Sequence, residues 1–325
     1  MRILLTGATG KLGSAVARQL VAGEHAVVAL VRDVSRARAL LPPEVEPAPG
    51  DVTDPDSLRA AARGVDAAVN CMGIYEQWQR DTDIFNRVNA GGAANVARAA
   101  RLAGARRIVH TSTYDVFDAP IGGTVSEAWL ADYEKGTPYE RSKQLAERLV
   151  LAEATPEFEV VIANPAGIFG PGPWAAAGWD SAIRDAVRGR LPAVPPGGLS
   201  LVWVEDAAAA HVAALERGRP GERYILAGGY ATVAELCAAA VEAAGRGRTP
   251  RVLPAALART LAGAGEAIAA GTGLRPLLAT GQLRFLQWRA RADSTKAREE
   301  LGFEPLDWRE GVARTVRWME QLGRI

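Results

Sequence analysis

The chain has 325 residues, 48% of them hydrophobic and 23% charged, the balance of a folded globular protein with a large core and, by length, about two domains. Lys and Arg number 38 against 37 Asp and Glu, so the net charge of +1 supplies no field for holding nucleic acid or an anionic membrane. The two cysteines, Cys71 and Cys237, form no C-x-x-C or metal-ligand spacing and read as free thiols of a reducing, cytoplasmic compartment.

With the first strand expected at the N-terminus, no signal peptide is expected. The Ala-rich stretch Leu257 to Ala270 is broken by Gly263, Gly265 and Glu266, so no membrane span is expected. Arg2 to Leu5 reads as a strand buried on both faces. It passes directly into Thr6-Gly7-Ala8-Thr9-Gly10-Lys11-Leu12-Gly13 and then into a helical pattern at 12–22. Strand, glycine turn and helix in this order suit a dinucleotide. One glycine permits the turn, one lets backbone approach a pyrophosphate, and one lets helix and strand pack closely, while the N–H groups of the helix start face the anion. The spacing of glycines 7, 10 and 13 departs from the common G-x-G-x-x-G pattern, and the flanking strand and helix carry the reading.

Further strands are expected at Ala26 to Val31, Val45 to Pro47, Ala67 to Asn70, Arg107 to Thr111 and Val160 to Ala163, with helices at 55–62, 84–104 and 138–154 between them. The alternation predicts an α/β chain: a Rossmann-type doubly wound parallel sheet over 1–165, with ligand at the carboxyl ends of its strands. Beyond Pro165, loops dense in Pro and Gly separate helical segments, and Leu201 to Val204 and Tyr224 to Leu226 look like strands. The expected organisation is a dinucleotide-binding domain that 200–228 rejoins. A smaller, mostly helical C-terminal lobe from 166–199 and 229–325 would hold substrate in the cleft between.

Tyr139 and Lys143 are four apart on a helix opening after Pro138 and share one face. A free phenol titrates near ~10, and a neighbouring ammonium favours the phenolate. Lowering that value by about three units takes roughly 4 kcal/mol, which Lys143 and an oxidised nicotinamide could jointly supply in a dry cleft. The strand ending in Thr111 delivers Ser112 and Thr113 to the same carboxyl edge, where a hydroxyl can hold a substrate carbonyl against the tyrosine.

These stretches, with Arg87-Val88-Asn89-Ala90-Gly91-Gly92, Asn164-Pro165-Ala166-Gly167-Ile168-Phe169-Gly170-Pro171-Gly172, Val202-Trp203-Val204-Glu205-Asp206-Ala207 and Leu301-Gly302-Phe303-Glu304-Pro305, run in one order over nearly the whole chain. Together they resemble the extended short-chain dehydrogenase/reductases, the NAD-dependent epimerase/dehydratase family, and within it the dihydroflavonol-reductase-like branch. The resemblance implies Tyr139 as general acid/base, Lys143 on the nicotinamide ribose, and Thr113, with Ser112 beside it, orienting the carbonyl. A threonine in place of the family's usual serine is a departure. Nucleotide-sugar dehydratases also use threonine there but follow it with Asp-Glu, and here Tyr114-Asp115 follows. Dinucleotide contacts are implied for Gly7, Thr9, Gly10, Lys11, Leu12 and Gly13 in the opening loop. Further contacts fall on Arg32, Asp51 and Val52, on Cys71, Met72 and Gly73 after the fourth strand, and on Asn89, Thr111, Asn164, Pro165 and Ile168.

The second strand ends in Arg32-Asp33. An acid there suits a ribose 2′-hydroxyl and an arginine a 2′-phosphate, so Arg32, with Ser35 and Arg36 beyond, favours NADP over NAD, although Asp33 could turn to the ribose. Tyr75, Trp78, Trp174, Trp179 and Trp203, with Trp129, Tyr133 and Phe169, gather where the pocket would lie and predict a ring-bearing or otherwise apolar carbonyl substrate. Arg184, Arg188 and Arg190 keep a nucleotide sugar open. The expectation is an NADP-dependent reductase of a ketone or aldehyde; the alternatives are an epimerase using bound NAD, and a non-enzymatic dinucleotide sensor, whose kind generally lacks the Tyr and Lys. His25, His110 and His211 have no paired carboxylate or ligand spacing, so structural roles and no metal are expected. Relatives often dimerise through the helices near 84–104 and 138–154, so monomer and homodimer are both consistent.

Overall fold

Seven short strands, nearly every residue of the central five buried, form one parallel sheet in this computed structural model, which describes residues 1–75, 78–173 and 178–325. They are β1 (Arg2–Thr6), β2 (Ala26–Val31), β3 (Glu46–Pro49), β4 (Ala67–Asn70), β5 (Arg107–Thr111), β6 (Glu159–Pro165) and β7 (Arg223–Leu226), in the order β7-β6-β5-β4-β1-β2-β3. Near-continuous apolar runs such as Arg-Ile-Leu-Leu-Thr belong in a sheet covered on both faces, as this one is. Ile3, Leu5, Val27 and Val109 face the helices Lys11–Ala22 and Val204–Arg217, while Leu4, Val28, Ile108 and Ile162 face Pro55–Ala61, Ala93–Leu102 and Pro138–Leu151. The strand order reverses between β1 and β4, where Thr6 pairs with Asn70, and such a reversal opens a crevice at the carboxyl ends.

A second core surrounds a three-stranded sheet in which Gly198–Trp203 pairs in parallel with Gly167–Phe169 and antiparallel with Gly229–Thr232. Helices Trp179–Val187, Val233–Ala244 and Trp308–Gln321 close over it around Phe169, Leu201, Trp308 and Met319. Among the described residues no helix is long and apolar enough to cross a membrane.

The structure differs from the sequence expectations in several places. The third strand starts one residue later than Val45 and runs to Pro49, pairing Val28 with Glu46 through Val31 with Pro49 at the sheet edge, where prolines 47 and 49 are tolerated because no further strand needs their N–H. The single helix expected at 84–104 is a short turn Asp83–Phe85, a π-helical stretch Asn86–Gly92 and the α-helix Ala93–Leu102. A Cβ on Gly92 would stand 2.8 Å from Val52 Cγ2, so the close approach to the 52 loop demands a residue that also weakens regular helix. Of the segment 200–228, Arg223–Leu226 joins the main sheet, whereas Gly198–Trp203, which contains most of the strand expected at Leu201 to Val204, belongs to the smaller one.

Candidate active site

The opening loop is built around a crowded turn. Gly7 has φ +71°, and a Cβ there would lie 2.6 Å from the Cys71 carbonyl, so only glycine fits. Gly13 is tighter still: a Cβ would come within 2.2 Å of Gly7 O, which is how closely the helix Lys11–Ala22 sits on the loop. Gly10 differs from both. A Cβ on it would meet only Gly7 O, at 3.1 Å, and it serves as N-cap with no side-chain cap and no acid in the first turn. The first N–H groups of this helix therefore have no side-chain acceptor at the cap, the condition under which a helix start binds an anion.

Lys11, expected at the dinucleotide, has its ammonium engaged within the fold: it donates to Gly170 O at 2.6 Å and pairs with the buried carboxylate of Asp180, which also accepts the Gly170 N–H. Burial lowers this ammonium to about 8. The latch ties the loop to the helix Trp179–Val187, and no sequence spacing announced it.

The helix Pro138–Leu151 carries Tyr139 and Lys143 and begins on a capping box, with Thr137 accepting from the Glu140 N–H, the Glu140 carboxylate accepting from the Thr137 N–H, and Pro138 in the first turn. Such caps contribute about 1 kcal/mol and fix where the helix starts, hence where Tyr139 stands. Lys143 is 4% exposed and donates to Thr111 O at 2.7 Å, fastening the helix to the end of β5. Burial lowers the Lys143 ammonium to about 8, against the opposing pull of Glu147 and Cys71.

Asn89, in the π-helical stretch, binds both the N–H (2.7 Å) and the carbonyl (2.9 Å) of Ile74 and donates to Ser142 Oγ at 3.0 Å. Ser142 Oγ in turn donates to Tyr139 O at 2.7 Å. One side chain thus ties the segment after β4 to the first turn of the Tyr139 helix. The Tyr139 ring meets Phe85 edge-on at 6.2 Å.

Thr113 Oγ1 accepts the Asp115 N–H at 3.3 Å, capping a short 3-10 turn on which the Tyr139 helix packs. Capping uses a lone pair and leaves the hydroxyl proton to give. Ser112 Oγ is buried without a partner among the described residues. Thr111 Oγ1 bonds His211 Nε2 at 2.9 Å, and His211 Nδ1 lies 2.6 Å from Ala207 O, which makes Nδ1 the protonated nitrogen and Nε2 the acceptor. Burial pushes His211 down to about 4 and keeps it neutral. His110 is likewise lowered by burial, and its Nδ1 meets Asn70 Nδ2 at 2.9 Å, while Thr6 donates to Asn70 Oδ1. Cys71 packs here with its thiol pushed up to about 12 by burial.

Asn164 is fully buried and turned inward: Nδ2 donates to Thr113 O at 3.0 Å and to Glu147 Oε1 at 2.8 Å, and Glu147 Oε2 accepts from Arg223 Nε at 2.7 Å. Asn164 was expected at the dinucleotide, and its amide nitrogen is instead committed to this link. Glu147, missed in the sequence, follows Lys143 at the four-residue interval by which Lys143 follows Tyr139.

At the end of β2, the Asp33 carboxylate accepts the Arg36 N–H at 2.9 Å and caps the helix Val34–Leu40, which the sequence reading had not placed. Two hydrogen bonds from Thr53 hold the Asp51 carboxyl below its usual range, with a smaller contribution from the exposed Arg32. Val52 and Met72 close over Gly92.

Among the substrate-side aromatics, Tyr75 is half exposed and Trp78 partly buried in the segment after β4. Trp179 and Trp203 were expected in the pocket, but both pack on the second core. Trp203 covers Gly170 and Gly311 with the Arg314 guanidinium 5.4 Å from its ring, and Trp179 lies against Gly167, because glycines leave space that large rings fill. Trp174 lies outside the described residues. Arg184 forms a two-point pair with its neighbour Asp185.

Residues 3–227 match the NAD dependent epimerase/dehydratase family, and the chain belongs to it. It is an enzyme of this extended short-chain dehydrogenase/reductase group. The chain is 33% identical to sterol demethylase protein B of Methylococcus capsulatus over 328 residues, all of both proteins. It is 28% identical to a putative dihydroflavonol 4-reductase of Synechocystis sp. over 99% of this chain and 95% of that one. Among solved structures, gox2253 superposes with a TM-score of 0.80 at 31% identity over 99% of both chains. The fold is also that of MoeE5, solved with UDP-glucose and NAD, with a TM-score of 0.77 at 22% identity over 99% of both chains.

Proposed function

We propose that the protein is an NADP-dependent reductase of a ketone or aldehyde on a ring-bearing, largely apolar molecule. The observation that carries this reading is Lys143, buried and bonded to Thr111 O at the strand end that bears Ser112 and Thr113, one helical turn from Tyr139. The uncapped helix start at Gly10 suits the pyrophosphate of a nicotinamide dinucleotide, and the dinucleotide's reduced ring would supply the hydride. Tyr139 then gives its phenolic proton to the carbonyl oxygen as that oxygen gains charge. Thr113, with one lone pair engaged by the Asp115 N–H, donates a hydrogen bond to the same oxygen and keeps its own proton. The Lys143 ammonium favours the phenolate left behind.

The preference for NADP is supported by the division of labour between neighbours: Asp33 is occupied as a helix cap, and Arg32 is exposed for a 2′-phosphate. The apolar substrate is supported by Tyr75 and Trp78, and by relatives named for a sterol and a dihydroflavonol. A nucleotide sugar is less well served, since Arg184 is paired with Asp185. The substrate side would be built by 166–199 and 229–325, and the two free cysteines, Cys71 partly buried and Cys237 buried, fit a cytoplasmic enzyme. A panel of carbonyl compounds followed by NADPH absorbance tests the reading; turnover without net NADPH use, on tightly retained NAD, would favour an epimerase instead.

A further inference from the structure

Tyr139, Lys143 and Glu147 occupy one face of the helix Pro138–Leu151 at successive turns. Glu147 is 2% exposed, a place where a carboxylate is costly unless something uses it. Its two oxygens reach different strands: Oε2 to Arg223 on β7, and Oε1 to Asn164 on β6, whose Nδ2 also holds the Thr113 carbonyl. We propose that Glu147 is a positioning residue, which fixes Thr113 through Asn164 and supplies the negative charge that keeps the buried Lys143 an ammonium. The inference rests on the reading of Tyr139 and Lys143 as the proton-transfer pair.

The other groups facing Lys143 cannot do this. His110 on β5 is neutral, its imidazole held well below its usual value by burial and by Lys143 itself, and His211 behind it is neutral too. Cys71 after β4 stays a thiol because burial pushes it up to about 12. Tyr139, one turn back, is the group to be protonated for reduction. Glu147 is the carboxylate of this set among the described residues, and Arg223 on its far side moderates its charge. At 2.8 and 2.7 Å its contacts leave it little freedom to move away.

The chain has four lysines, Lys11, Lys135, Lys143 and Lys296, so lysine labelled with 13C at Cε gives four resolvable titrations, with Lys143 assigned by its loss in Lys143→Arg. In Glu147→Gln the Lys143 midpoint should fall by about one unit, a tenfold change in acidity, and the alkaline limb of kcat for reduction should move down with it. The KM for the carbonyl compound and the Kd for NADPH should change less than about threefold, since neither ligand touches Glu147 in this account. Arg223→Met should move the midpoint the other way, because it strips the counter-charge from Glu147. An unmoved midpoint in Glu147→Gln, or a fall in both variants, overturns the proposal and leaves Glu147 a packing residue. A midpoint that falls while the kcat limb stays fixed upholds the charge assignment and overturns the proton-transfer reading of Lys143.

Discussion

Lys143 Nζ donates to the carbonyl oxygen of Thr111 at 2.7 Å with the lysine buried, so a charged group on the helix is clamped to the strand end that delivers the hydroxyls. The clamp costs stability. Burial lowers Lys143 from 10.5 to about 8, so between those values the unfolded chain holds a proton that the fold does not. By linkage the penalty is full below pH 8 and is relieved as pH rises from 8 toward 10.5. Lys143→Met should therefore melt higher than the wild type at pH 7, by on the order of 3 kcal/mol at most, and the gap should close toward pH 10. Thermal melts of both proteins across that range check it. A gap that widens with pH contradicts it.

Removing only the phenolic oxygen should separate chemistry from binding. Tyr139→Phe keeps the edge-on contact with Phe85. It should lower kcat by about 10²-fold or more. The dissociation constant for NADPH should stay near the wild-type value, read by fluorescence titration.

Arg32 and Asp33 are neighbours with separate expected effects. Arg32→Ala should erase most of the preference for NADPH over NADH without changing the melting temperature. Asp33→Ala should leave the preference in place and cost about 1 kcal/mol, because its carboxylate caps the helix Val34–Leu40. Equal dissociation constants for NADPH and NADH in the wild type would refute the assignment.

The glycines of the opening loop are not equivalent. Gly13→Ala places a methyl 2.2 Å from Gly7 O and should destabilise the fold by roughly 3 kcal/mol or more. Gly10→Ala meets a single backbone oxygen at 3.1 Å and should fold, while weakening dinucleotide binding at least about tenfold by standing where backbone must approach a diphosphate. Melting curves with and without NADPH distinguish the two.

Features that follow from backbone geometry were legible in the sequence. The strand, glycine turn and helix at the N-terminus, the parallel sheet of the first half and the i, i+4 spacing of Tyr139 and Lys143 all follow from local pattern. What stayed hidden was long-range commitment. Lys11 and Asp180 are 169 residues apart, and Arg223 and Glu147 are 76 apart, and no local pattern says that a lysine in a glycine loop will turn to a second core. The packing of Trp179 and Trp203 stayed hidden for a related reason: an aromatic ring has the same composition whether it walls a pocket or fills the space above Gly167 or Gly170. The π-helical stretch around Asn89 ends at Gly92, where Val52 comes too near for a side chain, a contact between residues distant in sequence.

The central claim is that Tyr139 protonates a carbonyl oxygen while hydride arrives from NADPH. Its most direct test is reduction of an accepted ketone with NADPH deuterated at the transferable C4 position, in the wild type and in Tyr139→Phe. The account predicts one deuterium on the carbinol carbon per NADPH consumed by the wild type, and loss of that reaction in the variant with the cofactor still bound. Full turnover by Tyr139→Phe, or product formed without deuterium and without NADPH consumed, would contradict it.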